Sequence, residues 1–360
     1  MTRAWVDIDL GALCRNGAVL AARAGAPMLP MVKADGYGLG GLRAALALES
    51  LDPWGFGVGS VTEGDELRRG GITRPIVVFT PILRTEIDAL RRADLTPALG
   101  DPAVIESWAR TGRPWHLAVD TGMSRAGMPW HLVEGHRALL ERAAPDGVFT
   151  HFHSAERLDA SRALQEQRFD EALRALPVRP GIVHAENGPA VERQAPSPWT
   201  LFRPGVFLYG VAAFEGGVVQ PEPVASVRAR IVELRTVADG ETVSYDATWA
   251  ARGPRRIATV PVGYADGYRR ALSNRGVALL HGQRIPVAGV VTMDMTMFDV
   301  TDCEAELGDV ITLLGRDGDD VITVTELARQ GELSPYELLT GLRMRLPRRY
   351  RAELAAEPGS

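Results

Sequence analysis

One pattern recurs eight times in the first 210 residues: a short apolar run, a turn, then a stretch with helical spacing. The runs fall at 28–33, 54–59, 76–79, 95–98, 115–120, 147–151, 182–184 and 201–205. Between them the spacing changes to three and four, as at 159–176, where Ala163, Leu164, Phe169, Leu173 and Leu176 form one apolar stripe. Short apolar strands joined by amphipathic helices make a parallel sheet, because parallel neighbours need a crossover long enough to hold a helix. Eight such units in about 200 residues predict a closed (β/α)8 barrel of the TIM type. The alternative is an open doubly wound sheet, but no GxGxxG follows the first strand.

The units are preceded by an alternating segment within residues 1–10 and a helical one at 13–24. After Gly210 the character changes. Pro221-Glu222-Pro223 reads as a boundary, and beyond it short alternating segments are separated by turn pairs such as Asp239-Gly240, His281-Gly282 and Asp317-Gly318. Residues 224–234 alternate for much of their length, and one helical patch lies near Val324–Gln330. A chain of 360 residues is long for one core. The expected organisation is a barrel at 1–222 followed by a mostly-β domain at 223–360.

Composition narrows the function. A net charge of −5 without a long basic run argues against nucleic-acid binding. No window of about twenty apolar residues offers a membrane span. Cys14 and Cys303 stand alone, without CxxC spacing, which argues against a disulfide framework or a zinc site. Asp7 and Asp9 precede any long apolar stretch, unlike a signal peptide. The expected location is the cytoplasm.

Lys33 is the only lysine, against 39 arginines. Codon bias accounts for the ratio but not for the survivor, which ends the first apolar run ahead of Gly36 and Gly38. Arginine replaces lysine as a surface charge; it cannot replace an amine that must deprotonate and attack a carbonyl. In a barrel of this kind the site lies at the C-terminal ends of the strands. Those ends carry Lys33 on the first, Arg125 just after the fifth, His151 on the sixth, His184 and Asn187 after the seventh, and Arg203, Gly205 and Val206 on the eighth. The loops after strands seven and eight commonly bind phosphate, and Gly188 and Gly205 let backbone N–H groups approach an anion. A sole lysine facing a phosphate loop points to pyridoxal 5'-phosphate, with Tyr37 available as a phosphate donor.

These segments resemble the alanine racemases over nearly the whole chain. Val32-Lys33-Ala34-Asp35-Gly36-Tyr37-Gly38 is similar to the family's cofactor-attachment signature. Val119-Asp120-Thr121-Gly122-Met123-Ser124-Arg125 resembles the segment whose arginine meets the substrate carboxylate. Thr150-His151-Phe152 and Arg203-Pro204-Gly205-Val206 resemble the segments that meet the cofactor ring and its pyridine nitrogen. In the second half, Val262-Gly263-Tyr264-Ala265-Asp266-Gly267-Tyr268 and Met293-Asp294 match its two main motifs. The resemblance implies that Lys33 and Tyr264 are the two catalytic bases, with Tyr264 supplied across a head-to-tail homodimer. It makes Met293 and Asp294 substrate-side residues, with Asp266 and Tyr268 in support.

Five positions depart from the family pattern: Leu39, Ala118, Gly188, Met344 and Val290. Ala118 stands where many members carry a carbamylated lysine, and no other lysine exists to be modified. A chloride or other anion near Arg125 is the expected substitute. The function implied is interconversion of L- and D-alanine, supplying D-alanine for peptidoglycan. The alternatives are a serine or broader amino-acid racemase, a decarboxylase of the same fold, and a non-catalytic carrier of pyridoxal phosphate.

Overall fold

The computed structural model describes residues 2–193, 196–214 and 216–351. Its first half is the expected barrel. The strands Phe56–Val58, Ile76–Val78, Thr96–Leu99, His116–Asp120, Gly147–Phe149 and Ile182–His184 pair in that order, all parallel. The first and eighth runs close the ring through isolated bridges: Met31 with Gly57, Met28 with Phe202, and Asn187 with Arg203. Leu29 N–H donates to Phe202 O (2.8 Å), Met31 N–H to Pro204 O (2.8 Å) and Val32 N–H to Gly57 O (2.9 Å). These two runs do not extend into full strands because Pro27, Pro30 and Pro204 have no N–H to give to a ladder.

The alternating segment at the N-terminus goes elsewhere. Ala4–Asp9 lies between Ala225–Arg230, antiparallel, and Arg348–Arg351, parallel, so residues 4–9 belong to the sheet of the second half. A barrel that closes on itself has no free edge to accept another strand, whereas the open sheet does. Asp7, 6% exposed, is held there by Arg228. Asp9 ends the strand and caps the helix Leu10–Ala24, its side chain accepting from Ala12 N–H at 2.8 Å. Asn16 on that helix reaches the chain at the 221–223 boundary, donating to Glu222 O (2.9 Å) and accepting from Glu222 N–H (2.7 Å).

The second half is mostly β. One sheet runs in the order Gln283–Pro286, Val277–Leu280, Val310–Asp317, Ala225–Arg230, Ala4–Asp9, Arg348–Arg351, and a second holds Glu233–Val237, Arg255–Val260 and Thr296–Asp299. The alternation expected over 224–234 is therefore two strands in two sheets, with Ala225, Val227 and Ala229 facing the core in the first. The helix Val324–Gln330 is present. A second helix, Pro335–Thr340, is too short to leave a periodic signature in the sequence, yet it packs on the turn after Lys33 and brings Tyr336 and Thr340 to the barrel mouth. Among the described residues no helix is long and apolar enough to cross a membrane.

Candidate active site

A cavity of about 670 Å³ opens at the C-terminal ends of the barrel strands. Of the residues expected there, Lys33, Tyr37, Arg125, His151, Asn187, Gly188, Arg203, Gly205 and Val206 all line it.

Lys33 sits at the end of the first run, at the start of a left-handed turn. Ala34, Asp35, Gly36 and Tyr37 all have φ between 52° and 60°. An L-residue in that region costs roughly 1–2 kcal/mol, so the turn must be held from outside. Asp35 Oδ1 accepts from Gly41 N–H (2.8 Å), Glu63 Oε1 from Ala34 N–H (2.8 Å), and Gly38 O from Arg348 (3.1 Å). Gly38 is required by space as well as by its φ of +85°: a Cβ there would lie 2.4 Å from Leu339 O in the helix Pro335–Thr340. The second half thus packs directly on the turn that aims Lys33. Burial, then the charge of Arg125, pulls the Lys33 amine below the usual lysine range, while Glu63 opposes them.

Arg203 is 4% exposed, and both of its terminal nitrogens find partners. Nη1 donates to His184 Nδ1 (2.6 Å), and Nη2 to Thr150 O (2.7 Å) and Ala185 O (3.0 Å). His184 must therefore accept at Nδ1 and carry its proton on Nε2, which meets His116 Nδ1 at 2.9 Å. Both histidines are buried inside the barrel. Burial, with Arg203 next, holds His116 down to about 3 and His184 well below its usual range, so both are neutral. Burial pulls Arg203 down to about 9, which still leaves a cation at neutral pH. Nε of Arg203 has no protein partner among the described residues, and the residue lines the cavity. His151 at the sixth strand end lies 3.5 Å from Arg203 Nη2 and is lowered to about 3 by burial, then Arg203, Arg125 and Lys33.

The backbone N–H groups of Gly205 and Val206 find no acceptor among the described residues, whereas the bridge between Asn187 and Arg203 turns Gly188 N–H toward Arg203 O. Gly188 and Val206 open helical turns, where the first donors have no intrahelical partner. A Cβ on Gly205 would fall 2.5 Å from Tyr37 Oη, so this close approach needs glycine; at Gly188 nothing comes within 3.8 Å. The Tyr37 ring stacks on Tyr209 at 4.7 Å and is fixed against this cradle. Asn187 lines the cavity but spends its Oδ1 on Ala190 N–H (3.2 Å) as a helix cap. Arg125 is exposed to the cavity on the loop that Asp120 organises by accepting from Gly122 (2.9 Å) and Ser124 (3.0 Å). Among the described residues its guanidinium has no hydrogen bond or ion pair.

Tyr264, Met293 and Asp294 are not in this cavity. They form one patch on the outside of the second half, with Tyr264 39% and Met293 53% exposed. Tyr264 N–H donates to Thr292 O (3.0 Å) and Ala265 N–H to Met293 O (3.1 Å), an approach that Gly263 permits, since a Cβ there would sit 2.2 Å from Thr292 O. Asp294 pairs with Arg345 (2.8 Å); Asp266 is buried beneath, accepting from Gly263 N–H (2.9 Å), and Tyr268 is buried beside it.

Four site residues escaped the reading of the sequence: His116, Glu63, Tyr336 and Thr340. His116 had a usable signal. Strand spacing of two puts it on the same side as Ala118 and Asp120, and both of those line the cavity. Tyr336 and Thr340 reach the cavity from the second half through the helix at 335–340, and no local pattern announces that contact.

The chain matches the family models described as "Alanine racemase, N-terminal domain" over residues 8–213 and "Alanine racemase, C-terminal domain" over 224–350. It is 40% identical to the alanine racemase of Deinococcus radiodurans, over 97% of this chain and 99% of that one. Its fold is similar to the crystal structure of alanine racemase from Bartonella henselae with covalently bound pyridoxal phosphate: TM-score 0.91, 26% identity, covering 98% of this chain and 100% of that one. It is also similar to the Bacillus anthracis alanine racemase with bound L-Ala-P: TM-score 0.90, 29% identity, covering 98% and 96%. With both halves matched in order and the relatives matched end to end, the chain belongs to the alanine racemase family.

Proposed function

We propose that this chain interconverts L- and D-alanine with pyridoxal phosphate, held by Lys33. The cradle fits that group. The unpartnered N–H groups of Gly205 and Val206, with Gly188 and Tyr37 beside them, suit its phosphate, and the free Nε of Arg203 suits its ring nitrogen. The His151 ring lies at the same strand ends, and Asn187 orders the phosphate loop. Bound there, the cofactor withdraws electrons from the substrate Cα and so acidifies its proton.

The observation that carries the reading is Arg203. A carboxylate at this place would keep the ring nitrogen protonated; a buried cation tied to neutral histidines opposes that protonation. A weaker electron sink favours prompt return of the proton, as racemisation requires, over loss of carbon dioxide. Arg125, without a protein partner, holds the substrate carboxylate.

Racemisation needs one proton-transfer group on each face of Cα. Lys33 serves one face. For the other we assign the partner subunit's Tyr264, carried with Met293 and Asp294 on an exposed patch that a head-to-tail homodimer would bring over the barrel mouth. The test is direct. Lys33→Ala should abolish the cofactor's protein-bound absorbance. Tyr264→Phe should keep that absorbance, lose most racemisation in both directions and retain solvent-deuterium exchange at Cα of one enantiomer only; normal racemisation would sink the two-base assignment.

The division at 222 and 223, with residues 4–9 lent to the second sheet, follows the two roles of barrel and partner-facing unit. A chloride or similar anion beside Arg125, in room left by Ala118, completes the picture; an anomalous map in bromide with only water there would remove it. Two free thiols suit the reducing cytoplasm, where D-alanine would feed peptidoglycan synthesis. A broader racemase remains the second reading, favoured by the volume of the cavity and the small side chain at 118; turnover of serine, lysine and arginine against alanine decides it.

A further inference from the structure

We propose that Glu63 is the positioning residue for Lys33, tying the turn that carries the amine to the end of the second barrel strand and bringing a carboxylate to its side of the site.

The geometry is specific. Glu63 occupies the first turn of the helix Val61–Arg69, where Ser60 caps Glu63 N–H at 3.2 Å. Both carboxylate oxygens are used. Oε1 accepts from Ala34 N–H at 2.8 Å, immediately after Lys33, and Oε2 accepts from Gly59 N–H at 2.7 Å, just past the strand Phe56–Val58. Charge-assisted bonds of this kind are roughly twice as strong as neutral ones. One of them falls on Ala34, which begins the left-handed turn, where the backbone is least able to hold itself.

The electrostatics point the same way. Arg125 faces the amine from the loop after strand five, Arg203 from strand eight, and neutral His151 from strand six. Both arginines disfavour a charged amine. Glu63 is the carboxylate that opposes them. Without it, two cations and burial would drive the amine further down, and the turn would lose its tie to the barrel.

This inference rests on the assignment of Lys33 as the cofactor lysine, but its test does not. Because Lys33 is the sole lysine, reductive methylation with 13C-formaldehyde of the full chain freed of cofactor labels one side chain and the terminal amine. NMR titration then reads Lys33 directly. Glu63→Gln, isosteric and uncharged, should lower the Lys33 titration by about one pH unit, a tenfold change in the charged fraction. Glu63→Asp should restore most of that shift. Glu63→Gln should also slow covalent attachment of added pyridoxal phosphate several-fold while the circular dichroism spectrum stays unchanged. An unchanged Lys33 titration in Glu63→Gln overturns the proposal. Failure of the wild-type chain to take up pyridoxal phosphate would instead overturn the functional reading and leave the titration result standing. If Glu63→Gln does not fold, Glu63→Ala carries the test: without a carboxylate there the Lys33 titration should fall likewise, and an unchanged titration overturns the proposal.

Discussion

Two buried histidines and two glycines show how single residues set the behaviour of this site. His116 and His184 hold one proton between their facing nitrogens, and the charge of Arg203 fixes the order of donors and acceptors. A histidine near 3 in the folded chain and near 6.5 when unfolded binds protons more tightly in the unfolded state between those values. Stability is therefore complete above about pH 6.5 and falls as the pH drops toward 3, by up to about 1.4 kcal/mol per unit for each such group. Thermal midpoints measured from pH 7 to 4 should fall, and His116→Gln should flatten the slope. The glycines give opposite expectations. Gly205→Ala places a Cβ 2.5 Å from Tyr37 Oη and should weaken cofactor binding at least tenfold; adding Tyr37→Phe should recover part of it, since the next ring atom is 3.4 Å away. Gly188→Ser has room, with nothing nearer than 3.8 Å, and should tighten binding by adding a hydroxyl donor to the cradle. Equilibrium titration of the apo chain with pyridoxal phosphate checks both.

At the scale of elements, the left-handed turn after Lys33 stands out, because it is short, strained and held by others. Its supports come from the helix at 61–69, the helix at 41–48 and Arg348 near the C-terminal end. The helix Pro335–Thr340 covers it so closely that Gly38 has no room for a methyl group. Gly112 shares the positive φ, at +64°, but faces open space. Gly112→Ala should lower stability by about 1 kcal/mol, the backbone term alone. Gly38→Ala should cost roughly 3 kcal/mol or more, because backbone must move as well. Denaturant midpoints of the two variants compare the terms, and equal losses would contradict the close packing of the two halves.

At the scale of the whole molecule, the site in one chain is half of the chemistry assigned to it. Lys33 lies inside the barrel mouth and Tyr264 outside on the second half. If the missing half comes from a second copy, two crippled variants should rescue each other. Mixing Lys33→Ala with Tyr264→Phe under conditions of subunit exchange should restore about a quarter of wild-type activity, since half the dimers are mixed and each holds one intact site. No restoration, with exchange verified by mass, would place both bases in one chain.

The barrel was legible because each βα unit is local: an apolar run and an amphipathic helix declare themselves within about twenty residues. The site was legible because strand ends converge once the barrel is known, and because one lysine among 39 arginines marks a position where guanidinium fails. The resemblance added Tyr264, Met293 and Asp294, which no spacing joins to Lys33. What only the tertiary structure decided are the non-local pairings. Residues 4–9 alternate like any strand, and nothing local says that their partners lie at 225–230 and 348–351. The run ending at Lys33 continues as a left-handed turn because Glu63, Asp35 and Arg348 hold it there, not because Ala34 and Tyr37 prefer that backbone. His116 reads as an ordinary strand residue until the barrel closes and sets its ring against His184. Local periodicity fixes elements; pairings between distant segments depend on which edges and donors the rest of the chain leaves free.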